Sequence, residues 1–273
     1  MNKILVATDF TPAAKNALDL ACLIAQLSED SVTLLHVINS HTKSLLSNAG
    51  KNMDELNSYM DDLSRFASEE FDVDCHAKTI EGSIFSDIND LASNTEYRMI
   101  LMGTHGTKGI RQSLLGADIL KIARTAPVPV LVVPDKTSLK SFFNKILFPY
   151  GGHKHFDKKV KAVAFLAELF GSEIHVYSVD REGMPISNET KKNIEQAKEY
   201  FTSRGIAFSS VQEKMEDFSI GFAHQTMRYA EKIGAKLISV MSTTSMDFAF
   251  ISDVDKEALI NNEHGLGIML TAD

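Results

Sequence analysis

Three glycines carry the first chemical signal in this 273-residue chain. Gly103 closes the apolar run Met99-Ile-Leu-Met, Gly106 follows Thr104-His105, and Gly116 opens a helical pattern after nine intervening residues. A glycine at a strand end lets the backbone approach a ligand closely, because no Cβ stands in the way. A helix N-terminus presents unpaired N–H groups and a partial positive charge, which suits phosphate. The arrangement reads as a loop that cradles an anion. It is not a Walker A loop, which needs Gly, four residues and then Gly-Lys-Ser/Thr; here the order is Lys108-Gly109, with no hydroxyl after it. Nor is it a dinucleotide fingerprint, which follows the first strand of its fold. The first strand here runs Lys3-Ile-Leu-Val-Ala-Thr8 into Asp9-Phe-Thr-Pro12 and holds no glycine.

Other reactive residue types fall around this loop. Asp9 could end a strand or cap a helix, but Thr11 is the better-placed cap, which leaves the carboxylate for a ligand. Lys108 and Arg111 could reach phosphates, although a solvated loop charge is the plainer role for each. His105 reads as loop structure rather than a base, and His36, beside a buried strand, as a satisfied structural histidine. Cys22 and Cys75 have neither Cys-x-x-Cys nor metal-ligand spacing and read as buried thiols. His153 and His155 would make a metal pair only in an extended loop with a third ligand; solvent exposure is expected instead. The Phe-Ala-His224-Gln-Thr-Met227 stretch fits ordinary helix–sheet packing. No Ser/His/Asp set, Cys/His pair, metal set or carboxylate dyad stands out, so no catalytic residue is assigned.

The elements that position these residues follow from patterning. Hydrophobic residues make up 44% and charged residues 23% of the chain, as in a soluble globular protein. The formal net charge of -8 disfavours nucleic acid as a generic partner. No apolar run approaches the ~20 residues of a membrane span, and no signal-peptide pattern is evident, so a cytoplasmic location is expected. Asn2-Lys-Ile-Leu-Val-Ala-Thr-Asp9 recurs as Asn144-Lys-Ile-Leu-Phe-Pro-Tyr-Gly151, an offset of 142; near the chain ends the offset becomes 138. Two copies of one α/β domain, 1–135 and 144–273, are expected, joined by a short polar linker. In the first copy strands are predicted near 3–7, 31–38, 73–79, 97–103 and 128–133, and helices near 12–28, 50–71, 83–94 and 116–126. Thr11-Pro12 gives an N-cap with proline at the first helical position, and Gly82-Ser83 is expected to cap the third helix. Strands alternating with helices predict parallel sheets covered on both faces, with ligands bound at the switch point beyond the carboxyl ends of strands one and four.

The spacing Gly-x2-Gly-x9-Gly, taken with Ile4-Leu-Val-Ala-Thr-Asp9, Leu34-Leu-His-Val37 and Pro-Val-Leu-Val-Val133, resembles the universal stress protein family along the whole first half. The resemblance implies a flavodoxin- or Rossmann-like, doubly wound domain in each copy, with five parallel strands in the order 3-2-1-4-5. It also implies a tandem packed as a pseudo-dimer through the last strands. The implied ligand is ATP or another adenine nucleotide, with or without magnesium. Asp9 and the Val37 backbone would contact adenine, with Thr8 close by; Gly103 and Gly106 would lie against ribose and phosphates, and Gly116 with Ala117 would meet the distal phosphates. Ala117 departs from the family's Ser or Thr and removes a phosphate hydrogen bond of about 1.5–3 kcal/mol. Asp118 adds a carboxylate to the same helical turn. In the second copy Met241, Thr244 and Val254 replace the three glycines, Asp255 replaces Ala117 and Gly151 replaces Asp9. That copy is expected not to bind ATP in the family's manner, while Leu266-Gly-Ile-Met-Leu270 keeps the apolar last strand for pairing. A ligand-dependent sensor or regulator of the stress response is the leading expectation, with an unidentified protein partner and the question of a further homodimer left open. A nucleotide-free interaction module and a slow ATPase are the alternatives.

Overall fold

The computed structural model describes residues 1–93, 96–104, 116–180, 186–215, 221–243 and 252–273. The first half comprises β1 (Lys3–Ala7), α1 (Pro12–Ser28), β2 (Ser31–Ile38), α2 (Ser40–Asn48), α3 (Met53–Phe71), β3 (Cys75–Glu81), α4 (Ile84–Ser93), β4 (Tyr97–Thr104), α5 (Gly116–Thr125) and β5 (Val130–Pro134). The second half comprises β6 (Lys145–Pro149), α6 (Phe156–Phe170), β7 (Glu173–Asp180), α7 (Asn188–Ser203), β8 (Phe208–Lys214), α8 (Gly221–Ile233), β9 (Leu237–Met241), α9 (Asp253–Ile260) and β10 (Gly267–Thr271).

All ten of these strands lie in one sheet, ordered β3-β2-β1-β4-β5-β10-β9-β6-β7-β8. The first five therefore show the expected 3-2-1-4-5 order, and the last five repeat it as a mirror sequence from the seam outward. Pairing within each half is parallel, and only β5 and β10 run antiparallel, with Val132 opposite Ile268 and Val130 opposite Leu270. The retained apolar segment near the chain end thus closes an edge that would otherwise stand open in each half.

Alternation along the strands divides the core into two layers. Ile4, Val6, Leu131, Ile146 and Phe148 face α1, α3, α6 and α7, whereas Leu5, Ala7, Val132, Leu147 and Ile268 face α4, α5, α8 and α9. Each layer runs across the seam, so burial of apolar surface is shared between the halves.

Local chemistry sets the helix starts. Thr11 accepts the Ala14 N–H at 3.3 Å, Pro12 occupies the first turn, and Asp9 Oδ1 holds Thr11 in turn by accepting its N–H and Oγ–H. At Ser83 the hydroxyl accepts the Phe85 N–H, and Asp87 reaches back to the Ser83 N–H. The predicted helix 50–71 begins at Met53, behind an Asn52/Glu55 capping box, and α2 precedes it unannounced. The expected exposure of His153 is corrected: it is buried, with Asn193 on its carbonyl and Nδ1 3.8 Å from Asp273, while His155 is exposed. His224 points outward between the buried residues of α8. Cys22 and Cys75 are buried free thiols, as expected.

Two contacts brace the first half. Arg98 Nε donates to the buried Asp30 carboxylate at 2.6 Å, and its guanidinium lies 4.2 Å over the Phe165 ring of α6. Asp30 also accepts from the Asn2 N–H and the Ser28 hydroxyl. Arg98→Ala leaves this carboxylate buried without its cation, and should lower unfolding free energy by about 3 kcal/mol in urea titration. At Gly103, a Cβ would stand 2.4 Å from Ala13 C and Ala14 N, so the absent side chain is what lets the N-terminus of α1 close on β4. Gly103→Ala should cost at least about 1–3 kcal/mol by forcing backbone apart, read as a lowered melting midpoint; an unchanged midpoint contradicts that packing role.

Candidate functional site

A cavity of about 550 Å³ opens beyond the carboxyl ends of β1, β2 and β4. That is the switch point at which the winding of the first half reverses, the place where open α/β sheets bind ligands. Its floor is made by Thr8, Asp9, Val37, Met102 and Gly103, and its far wall by α2 and the first turns of α3. Four of the predicted site residues, Thr8, Asp9, Val37 and Gly103, are therefore brought together. Gly106, like His105, Lys108 and Arg111, lies outside the described residues. Gly116 and Ala117 do not line the cavity: Gly116 is buried, and Ala117 is exposed on the first turn of α5.

The polar end of the cavity is pre-organised by short-range bonds. Thr8 Oγ1 accepts the Phe10 N–H at 3.1 Å, which helps hold Phe10 at φ 64°, a left-handed conformation that non-glycine residues seldom adopt. The Phe10 ring then lies 4.6 Å from His36 and 5.5 Å from Tyr59. His36 Nδ1 donates to the Thr8 carbonyl at 2.8 Å, which leaves Nε2 to accept from the Thr42 hydroxyl at 3.2 Å. Burial pushes the His36 pKa down, against smaller opposing effects of the Thr8 carbonyl and Asp9, and the neutral ring suits both bonds. With Oδ1 of Asp9 spent on Thr11, Oδ2 has no bond to a described residue and is the acceptor left for a ligand.

Of the far wall, α3 was expected near 50–71 but α2 was not. Asn39 caps α2 by accepting the Thr42 N–H at 3.0 Å, and α2 buries none of its residues; Leu45 is half exposed above the cavity. The readable signals were Asn39 before a polar nine-residue stretch and Asn52-x-x-Glu55 before an apolar one.

Among the described residues, the corresponding place in the second half is closed. A void of only about 10 Å³ remains there, lined by Pro149, Gly151, Met241, Lys159 and Lys256 among others. Lys159 is fully buried, donates to the Pro149 carbonyl and sits 3.9 Å over the Phe148 ring. Burial drives its pKa well below the ordinary lysine range. Lys256 Nζ donates to the Thr243 carbonyl at 2.6 Å. Met241 stands in register where β4 has Gly103. Thr244 lies outside the described residues, Val254 is exposed, and Asp255 serves the Ser252 capping box of α9. Among the described residues no group of three His, Cys, Asp or Glu could hold a metal ion, and no helix is long and apolar enough to cross a membrane.

Residues 1–134 match the model of the universal stress protein family. A universal stress protein of Methanocaldococcus jannaschii is 35% identical over 66 residues, 24% of this chain, and the match spans 39% of that relative's length. Among solved structures, a universal stress protein from Archaeoglobus fulgidus aligns over 99% of this chain and 98% of its own, at 17% identity and a TM-score of 0.73. A functionally unknown protein from Pseudomonas aeruginosa aligns over 100% and 92%, at 17% identity and a TM-score of 0.62. At these identities the structural likeness speaks for the fold, here a fold shared across both halves. Motif, family match and tandem architecture agree: the chain belongs to the universal stress protein family through its N-terminal half.

Proposed function

We propose that the N-terminal half binds an adenine nucleotide in the cavity beyond β1 and β4, and that the chain acts as a ligand-dependent regulator in the stress response. The observation that carries this reading is the contrast between two equivalent places in one sheet, a cavity of about 550 Å³ in one half and a closed, lysine-filled void of about 10 Å³ in the other. The proposed domains are 1–135, with the ligand site, and 144–273, a degenerate partner that completes the sheet. Family membership supplies the ligand class; the cavity supplies the room. An adenine ring can lie against the apolar floor of Val37 and Met102, with Asp9 Oδ2 accepting from its amino group. No general base is assigned, so regulation rather than turnover is the main proposal.

Calorimetric titration with adenine nucleotides should give one saturable site per chain. Asp9→Asn keeps an oxygen for Thr11 but replaces the free acceptor with a donor, and should weaken binding about tenfold or more, equivalent to ~1.4 kcal/mol. Unaltered affinity in that variant removes Asp9 from the site, and an absence of binding by any adenine compound overturns the reading.

The neutral His36 gives the site a pH dependence of known sign. Its folded-state pKa lies below the ordinary value of 6.5, so the unfolded chain binds more protons between the two values. Its contribution to stability is complete above pH 6.5 and is lost as pH falls through the lowered native value. Urea midpoints measured from pH 7.5 to 5 should fall more steeply in the wild type than in His36→Gln. Parallel profiles would show that His36 is not held neutral.

A further inference from the structure

A groove of about 460 Å³ lies on the seam and shares no lining residue with the cavity beyond β1. The N-terminal half supplies Arg98, Arg124 and the turn 126–129, and the C-terminal half supplies α6 and the end of β10. Neither half makes it alone. Although the chain carries a net charge of -8, four cationic side chains, Arg98, Arg124, Lys158 and Lys161, line this groove against one acidic side chain, Asp273. Asp273 itself lies 3.8 Å from His153. Three of the cations are paired with carboxylates off the lining: Arg98 with Asp30, Arg124 with Asp253 and Lys161 with Asp157. The last two pairs are solvent-exposed, where ion pairs are weak and open to exchange with another anion. Lys158 is exposed and has no ion-pair partner among the described residues. Arg98 is held in place, because Asp30 takes its Nε and Nη2 and Phe165 lies against the guanidinium. Its Nη1 has no bond to a described residue and keeps its donors for a ligand. A second observation points the same way. Thr271 lines the groove at 2% exposure, and its buried Oγ1 has no hydrogen-bond partner among the described residues. A buried hydroxyl left unpaired is destabilising, and an acceptor in the groove would relieve it. Between these polar groups the surface is apolar, made by Phe165, Ala162, Val128 and two prolines that carry no N–H.

We propose that the seam groove is a second binding site, which takes a small organic oxyanion: a carboxylate or phosphate carried on an apolar body. Arg98, Lys158 and the Thr271 hydroxyl supply the donors, and Phe165 with Val128 supplies the surface for the body. A bare inorganic ion leaves that surface uncovered, and a neutral molecule leaves the cations unanswered. Because both halves line the groove, the ligand ties them together and stabilises the folded chain. The proposal goes beyond the nucleotide reading and does not depend on it.

The test is calorimetric titration of the full chain with phenyl phosphate and with benzoate, against inorganic phosphate and benzyl alcohol as controls. At least one aromatic oxyanion should saturate at one site per chain, at least tenfold tighter than either control, and the tighter of the two identifies the head group. Lys158→Gln, an exposed change, should weaken that oxyanion at least threefold. Thr271→Val removes a hydroxyl that bonds to nothing among the described residues, so the melting midpoint should hold or rise while affinity falls at least threefold. Circular dichroism confirms the fold of both variants, and the lysine variant keeps the test open if the buried one misfolds. An absence of saturable binding by both oxyanions overturns the proposal. So does a control that binds as tightly as the better oxyanion, since either the charge or the apolar body is then irrelevant. An affinity unchanged in the folded variants places the oxyanion outside the groove and overturns it as well. Nucleotide binding in the cavity beyond β1 is decided by its own titration, whichever of these results is found.

Discussion

The antiparallel pairing of β5 with β10 governs the whole molecule. Val130, Leu131 and Val132 meet Leu270, Met269 and Ile268 at the centre of the sheet, and none of these side chains reaches solvent appreciably. Two separate five-stranded sheets would each leave this apolar strand at an open edge, where unpaired backbone groups invite association with another chain. Joining them inside one chain satisfies both edges and merges the two core layers. It also brings α5 and α9 together, and with them the cross-half contacts: Arg124 to Asp253 at 2.5 Å, Ser242 to the Ala123 carbonyl at 2.9 Å, and Asn261 on Gly116.

That shared framework explains how the two halves could diverge so far at one place while keeping one fold. Stability resides in the strands, the seam and the helix faces, none of which needs an open hollow at the strand ends. In the first half the hollow persists because Gly103 lets α1 close on β4 and the Asp9–Thr11 turn carries the chain aside. In the second half the same volume holds Met241, Lys159 and Lys256. Their amino groups have been brought out of water and satisfied by main-chain carbonyls and, for Lys159, by the face of Phe148. Burying amines in this way is costly, and it is sustained by a half whose five strands are tied into a ten-stranded sheet.

Much of this was legible in the residues. The bounds of α1 and β2 follow from Thr11-Pro12 and from the apolar run Val32–Ile38, and the tandem follows from the repeated Asn-Lys-Ile-Leu. Thr8, Asp9, Val37 and Gly103 converge as their positions at strand ends require. What was not legible depended on partners distant in sequence. Helix α2 buries none of its residues, so no apolar stripe marks it. His153 looks like a surface residue in Gly-Gly-His-Lys-His, yet Asn193, forty residues on, ties its carbonyl into the interior. Gly116 reads as a ligand glycine because nothing local says that a side chain 145 residues away will sit against it.

A motif glycine records only that a Cβ is unwelcome, and the two described motif glycines exclude it for different neighbours. At Gly103 the neighbour is the backbone of α1, and the glycine itself lines the cavity. At Gly116 the neighbour is Asn261 from the opposite half. The same sequence pattern can thus be held in place by helix packing at one position and by the seam at another. The seam therefore reaches into the glycine pattern of the N-terminal half at its third member. Any substitution that shifts α9 along α5 must also change what stands at the α5 N-terminus, so the C-terminal half bears directly on the backbone of the N-terminal half at that point.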